Sequence, residues 1–184
     1  MIMSNGKTEE AILGGGCFWC LDAAYGHCIG VSEVASGYSG GPRPDPTYEQ
    51  VCAGVTGHAE VVKVTFDPAV ISYEDILHIF FSIHDPTTLN RQGSDVGSQY
   101  RSVIFTNSPE QLASAKKIIQ ELTDEKLFDK PIVTEVTPLE KFYRAEEYHQ
   151  KYYDYNPEKA YCQIVIAPKI SKFRQKYSKF YKQD

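Results

Sequence analysis

The residues with the plainest chemical potential lie in one short run, Gly14-Gly15-Gly16-Cys17-Phe18-Trp19-Cys20. It follows the apolar Ala11-Ile12-Leu13 and precedes Leu21-Asp22-Ala23-Ala24-Tyr25, which suits a helix. Strand, glycine turn and helix put Cys17 at or near a helix N-terminus. Free backbone N–H groups and the helix dipole favour a thiolate there, and the thiolate is the nucleophilic form of cysteine. Phe18 and Trp19 offer an apolar aromatic wall that suits a small apolar group. Cys20, three residues on, shares a helical face with Cys17. The expectation is a redox-active or nucleophilic cysteine.

Two further segments read as site loops. Residues 46–60, Pro-Thr-Tyr-Glu-Gln-Val-Cys-Ala-Gly-Val-Thr-Gly-His-Ala-Glu, hold Tyr48, His58 and Glu60 near bends and a strand start. Residues 91–102 carry Asp95, Tyr100 and Arg101 among glycines that mark turns. Tyrosine and carboxylate on a conformationally demanding loop suit a site presented by a rigid scaffold. His58 lies two residues before Glu60 and shares its strand face, where a loop-bracing hydrogen bond is its expected use.

The elements that must position these groups follow from pattern. A strand ends near Leu13, a helix runs from about Cys17 to Gly26, and a β-prone run covers Val31 to Tyr38. Glu60 to Phe66 alternates as a strand. Ser72-Tyr73-Glu74-Asp75 resembles a capping box ahead of the apolar Ile76, Leu77, Ile79, Phe80 and Ile83. A loop spans His84 to Gln99, and a strand spans Tyr100 to Phe105. Ser108-Pro109 opens a helix with a stripe of Leu112, Ala115, Ile118, Ile119 and Leu122. A strand over Ile132 to Val136, a helix over about Phe142 to Tyr153 and a β-prone Tyr161 to Ile166 complete the reading. Strands and helices mix without strict βαβ alternation, so a single α+β layered domain is expected over residues 1–184. Residues 1–9 form a short tail, and 169–184 a basic amphipathic helix.

Composition narrows the class. The 184 residues suit one hydrophobic core. A net charge of −5 speaks against nucleic acid as a partner. No run approaches the ~20 apolar residues of a membrane helix. The N-terminus lacks the apolar stretch of a secretory signal, so a cytoplasmic location is expected. Five cysteines, an odd count, disfavour a pure disulfide framework. The C-terminal run carries Lys169, Lys172, Arg174, Lys176, Lys179 and Lys182, with Ile170, Phe173, Tyr177 and Phe180 at helical spacing. A helix packed on the body with a solvated lysine face is the default reading, and a docking helix the alternative.

Taken together, the motifs resemble a known family. Gly-Gly-Cys-Phe-Trp from Gly15, Pro-Thr-Tyr-x-x-Val-Cys-x-Gly-x-Thr-Gly-His-Ala-Glu from Pro46, His-Asp-Pro-Thr from His84, the Gly-x-Asp-x-Gly-x-Gln-Tyr-Arg-Ser stretch within the run from Arg91, and Ala-Glu-x-Tyr-His-Gln from Ala145 occur in that order. This set, over roughly residues 10–168, resembles peptide methionine sulfoxide reductase A. The resemblance implies reduction of the S epimer of methionine sulfoxide, free or in proteins, back to methionine. It implies Cys17 as nucleophile, Phe18 and Trp19 as the pocket for the S-methyl group, and Glu60 as the acid that protonates the sulfoxide oxygen. Tyr48 and Tyr100 would hold that oxygen, and Asp95 would support the site. It further implies a ferredoxin-like mixed sheet with flanking helices and long coil segments, thioredoxin as reductant, and no metal or organic cofactor. A monomer that binds neither nucleic acid nor membrane is expected.

The chemistry is consistent with that set. A sulfoxide oxygen leaves poorly, so thiolate attack on sulfur needs a proton delivered to oxygen. A carboxyl group does this near neutral pH only if burial raises its pKa. The resulting cysteine sulfenic acid condenses with a second thiol. Cys162 matches a C-terminal resolving cysteine and is the favoured first resolver. It would need a mobile C-terminal coil to reach Cys17. Cys20, where the common motif has glycine, is the alternative, and a relay through both is open. Cys28 and Cys52 read as small buried residues. Asp22 stands where many members have glutamate, and Ser94 where many have asparagine. Two rivals use the same cysteines. One is a zinc module, weak without a second ligand pair. The other is a thioredoxin-like disulfide oxidoreductase, in which the Tyr48, Glu60 and Asp95 loops have no task.

Overall fold

The protein is described by a computed structural model covering residues 6–183. Residues 1–5 of the expected tail and Asp184 lie outside the described residues. The chain runs β1 (Glu9–Gly14), α1 (Phe18–Gly26), β2 (Val31–Ser39), α2 (Tyr48–Cys52), β3 (Ala59–Phe66) and α3 (Tyr73–Ile83). It continues through β4 (Arg91–Gln92), β5 (Asp95–Val96), β6 (Val103–Thr106), α4 (Pro109–Asp124), β7 (Glu135–Pro138), β8 (Tyr143–Arg144), α5 (Tyr152–Tyr155) and α6 (Ala167–Lys176).

One sheet has the order β7-β6-β1-β3-β2-β8. Its centre, β6-β1-β3-β2, is antiparallel throughout, with α1 and α3 as the crossovers. This is the β-α-β-β-α-β ferredoxin-like arrangement. β7 adds in parallel to β6 and β8 antiparallel to β2, which makes the sheet mixed, as the resemblance implied.

Period-two alternation decides what each strand residue faces. Leu13, Val62, Val64, Phe66 and Ile104 meet Phe18, Leu21, Ile76, Phe80, Ile118 and Phe173 in the helix-side core. Ile12, Val61, Val103 and Phe105 turn to the other face, where Leu139 and Phe142 cover them. Glu60 shares the parity of Val62 and Val64, so its carboxyl enters the helix side beside α1.

The local signals work where they were strongest. Ser72 and Asp75 form the reciprocal capping box on α3, and Ser108 caps α4 with proline in its first turn. Residues 46–60 contain a helix not expected from the sequence, α2, closed by a Thr47–Gln50 capping box. The expected strand at 132–136 begins only at Glu135 and runs to Pro138.

Two expectations fail for tertiary reasons. Residues 142–153 are not one helix: Tyr143–Arg144 pair with β2, Glu147–His149 make a 3-10 turn, and only Tyr152–Tyr155 are α-helical. There Gln150 binds the Ser36 N–H and C=O, which takes the chain off a helical path. Tyr161–Ile166 is not a strand: Cys162–Ile166 form a π-helix that runs into α6. Cys162, Ile166, Ile170 and Phe173 are buried at helical spacing, and Pro168, which has no N–H, sits where the wide turn gives way to α6. The basic tail is α6 followed by a 3-10 turn at Ser178–Phe180, with Ile170, Phe173 and Phe180 inward. Glu9, at the end of the expected tail, already pairs with Phe66.

Candidate active site

Cys17 is the N-cap residue of α1, in extended conformation at φ −66° and ψ 131°. The loop before it turns at Gly16, φ +84°, where a Cβ would lie 2.7 Å from Gln92 Cγ. The Gly16 N–H donates to the Tyr100 carbonyl at 3.1 Å, which ties this loop to the 91–102 segment. Sequence separation therefore hides a shared site.

Glu60 is 1% exposed. Its Oε1 accepts the Phe18 N–H at 3.2 Å, and its carboxyl stands beside the Cys17 thiol. Burial pushes the Glu60 pKa up to about 8, with the nearby Asp95 charge adding to the rise. The group is thus largely a neutral carboxylic acid at neutral pH.

The expected resting thiolate of Cys17 is corrected by these surroundings. Cys17 is 8% exposed, and burial lifts its pKa well above the ordinary thiol value, with Glu60 and Cys20 lifting it further. The helix amides do act: the Trp19 N–H at the start of α1 favours the thiolate and lowers the pKa, as does Tyr161. Desolvation outweighs both, so the resting group is a thiol.

Tyr48 and Tyr100 are half-buried beside Glu60. Burial raises both phenol pKa values, helped for Tyr48 by the Cys52 hydrogen bond and for Tyr100 by Glu60. Both keep their O–H protons. Asp95 accepts the Tyr161 hydroxyl at 2.8 Å. The same hydroxyl also lies toward the thiols. Its oxygen lies 4.0 Å from Cys20 Sγ. In the sequence Tyr161 stands out only as a neighbour of Cys162.

Phe18 and Trp19 lie beside Cys17 with aromatic partners that their spacing did not disclose. Trp19 stacks on Tyr152 at 3.7 Å between centroids and 6° between planes, and Tyr161 meets it edge-on at 5.8 Å. The indole N–H donates to His149 Nδ1 at 3.1 Å. His149 packs on Phe18 at 5.0 Å and Tyr48 at 4.3 Å, and its buried Nε2 has no partner. Because Nδ1 accepts from the indole, the neutral ring carries its proton on Nε2. Glu146 joins two walls, accepting the Tyr38 hydroxyl and the Tyr48 N–H, each at 2.9 Å. The signal for Glu146 and His149 is the Ala-Glu-x-Tyr-His-Gln motif, whose spacing reads as a helix.

The remaining cysteines separate clearly. Cys20 is buried in the first turn of α1, its N–H bonded to the Cys17 carbonyl, and burial raises its pKa. Cys162, the first residue of the π-helix, is buried against the helix-side core rather than on a coil, and burial raises its pKa. Cys28 is buried as expected. Cys52 is exposed, a correction, because α2 places it at the rim beside Tyr48.

His58 braces the loop. Its Nδ1 accepts the Gly41 N–H at 2.9 Å, so Nε2 donates to the Arg43 carbonyl at 2.6 Å. Among the described residues no three His, Cys, Asp or Glu side chains converge as a metal-binding group, so the zinc reading lacks a ligand set. The thioredoxin-like reading lacks its parallel βαβ setting, since both neighbours of β1 are antiparallel. None of the described helices is long and apolar enough to cross a membrane.

A family model described as peptide methionine sulfoxide reductase matches residues 9–181. The chain is similar to peptide methionine sulfoxide reductase MsrA of Polynucleobacter asymbioticus, 55% identical over 169 residues, 92% of this chain and 89% of the relative. Among solved structures it is similar to Mxr1 from Saccharomyces cerevisiae in reduced form, with a TM-score of 0.79 and 38% identity over 85% of this chain and 90% of that one. It is also similar to Mxr1 in complex with Trx2, with a TM-score of 0.57 and 27% identity over 83% of this chain and 89% of that one.

Proposed function

The chain belongs to the peptide methionine sulfoxide reductase family and is an A-type enzyme, and on that footing we propose that Cys17 attacks the sulfur of the S epimer while Glu60 protonates its oxygen. The observation that carries this reading is a buried Glu60 carboxyl bonded to the N–H next to Cys17, where burial raises its pKa and favours the neutral acid. A charged carboxylate has no proton to give.

The substrate S-methyl group rests on Phe18 and Trp19, and the oxygen takes hydrogen bonds from Tyr48 and Tyr100. The unpaired Nε2–H of His149 gains an acceptor when a substrate oxygen enters. Glu60 gives its proton to the oxygen as the Cys17 sulfur bonds to the substrate sulfur, and the thiol proton returns to Glu60. The hydroxyl then passes from the substrate sulfur to the Cys17 sulfur as the S–O and S–S bonds break, so methionine leaves with its sulfur reduced and Cys17 is left oxidised as a sulfenic acid. A second thiol then attacks Cys17, releasing water and forming a disulfide. Asp95 holds Tyr161 in place through these steps.

Geometry favours Cys20 over Cys162 as the first resolver. Cys20 stands one turn from Cys17, its N–H on the Cys17 carbonyl at 3.1 Å, and a disulfide needs Cβ atoms ~3.5–4.5 Å apart. A small shift of the first turn brings them that close. Cys162 must first leave the core, which requires the π-helix to unwind. It then relays the disulfide outward. Thioredoxin reduces it, and the complex of Mxr1 with Trx2 supports that pairing. Repair of oxidised proteins follows as the physiological use. A reducing, cytoplasmic setting suits the five free cysteines.

The test is a single turnover of reduced protein on the resolved S and R epimers of an N-acetylated methionine sulfoxide. Conversion of the S epimer alone, lost in Cys17→Ser, is expected. No conversion of either epimer overturns the assignment and brings disulfide-exchange assays forward.

A further inference from the structure

Asp22 is a buried carboxylate that the reaction above does not use. It lies on α1 and is 3% exposed. Its Oδ2 accepts the Lys151 main-chain N–H at 2.7 Å and the Ser36 hydroxyl at 3.4 Å. Burial pushes its pKa up to about 6, so at neutral pH it stays ionised against a desolvation cost. Those two donors are what the site provides in return.

The group it holds is strained. Lys151 has φ 52° and ψ 39°, a left-handed conformation that L side chains rarely adopt. No side chain caps the helix that starts at the next residue. Gln150, just before, is fixed to β2 through the Ser36 N–H and C=O at 2.9 and 3.0 Å. Tyr152, just after, is the ring stacked on Trp19 at 3.7 Å and 6°. Trp19 and Asp22 are three residues apart on α1 and so lie on one helical face. A single helix face therefore presents the pocket indole and grips the turn that supplies its stacking partner.

We propose that Asp22 is a positioning residue for the substrate pocket: its carboxylate holds the left-handed turn at Lys151 and so sets Tyr152 flat against Trp19. This rests on the reading of Trp19 as a wall of the S-methyl pocket. Removing the carboxylate frees the Lys151 N–H and lets the turn relax. Tyr152 then tilts away, and the indole loses its backing. The reacting groups Cys17 and Glu60 stay in place, since Asp22 touches neither. The effect falls on substrate binding rather than on the chemical step.

Trp19 is the sole tryptophan, so its fluorescence reports this contact without interference. Asp22→Ala, Tyr152→Ala and the double variant are compared with wild type at pH 7.5, using the S epimer of N-acetylated methionine sulfoxide amide and dithiothreitol. Asp22→Ala should raise KM about tenfold with kcat changed less than about threefold, and should shift Trp19 emission and its acrylamide quenching. In the Tyr152→Ala background the same substitution should add less than about twofold. Asp22→Asn, which keeps the shape and removes the charge, should fall between wild type and Asp22→Ala. It decides the matter by the same criteria if Asp22→Ala does not fold. Unchanged KM, unchanged Trp19 emission, or effects that multiply in the double variant overturn the proposal. If wild-type protein does not reduce the S epimer, the assigned function fails instead, and the emission change still tests the Asp22–Tyr152 link.

Discussion

The Phe18 N–H donates to Glu60 Oε1 at 3.2 Å. The residue after Cys17 thus grips the Glu60 carboxyl, although 42 positions separate them. The bond sets how far the Glu60 carboxyl sits from the sulfur, and its donor belongs to the rigid main chain of α1. It also lowers the Glu60 pKa, and burial overrides it. The acid is held in place by a bond that favours its charged form, within surroundings that keep it neutral.

Glu60→Gln keeps this bond and removes the proton. Its kcat/KM should fall by roughly 10²–10⁴. With Glu60 at about 8, the wild-type rate should decline as pH rises through that value, because the acid loses its proton. The variant should lack that decline. A variant rate within threefold of wild type would remove Glu60 from the mechanism.

The same group should make the fold less stable in base. The folded state binds the Glu60 proton more tightly than the unfolded chain, whose carboxyl has its ordinary value near 4.5. Its contribution is fully present below about 4.5 and is lost as pH rises to about 8, on the order of several kcal/mol in all. Thermal melts from pH 5 to 8 should show Glu60→Gln gaining on wild type as pH rises. A constant difference in Tm across that range would contradict the burial argument.

Tyr48 and Tyr100 should share the oxygen. Each Tyr→Phe change should lower kcat/KM by about tenfold, and the pair by more than about 10²-fold, since one phenol still holds the oxygen when the other is lost. Steady-state kinetics of the three variants decide it. A double variant no worse than either single one would show that only one phenol contacts the oxygen.

The order of the cysteines is open to direct mapping. After one turnover without reductant, the first disulfide should be Cys17–Cys20, with a Cys162 pair appearing later. Cys20→Ser should slow disulfide formation and leave methionine release unchanged. Cys162→Ser should leave the first disulfide intact and slow turnover with thioredoxin. A first disulfide to Cys162 in wild-type protein would mean that the π-helix opens before α1 shifts.

The chain itself determined whatever depends on near neighbours. Glycine freedom and a strand-to-helix change placed Cys17 at the start of α1, side-chain caps began α3 and α4, and alternation turned Glu60 towards the helices. The motif set carried Tyr48, Asp95 and Tyr100 as candidates, and the fold brings them around Glu60. Only the tertiary structure decided the protonation states, because the desolvation of Cys17 and Glu60 comes from segments far apart in the chain. It also decided the two misread stretches. At 142–153, hydrogen bonds to Ser36 and Asp22 outweigh helix propensity, and at 161–166 burial of Cys162 and Ile166 outweighs β propensity. Local preferences are worth tenths of a kcal/mol per residue, and buried contacts of this kind are worth about one or more, so in both places the buried contacts set the path of the chain.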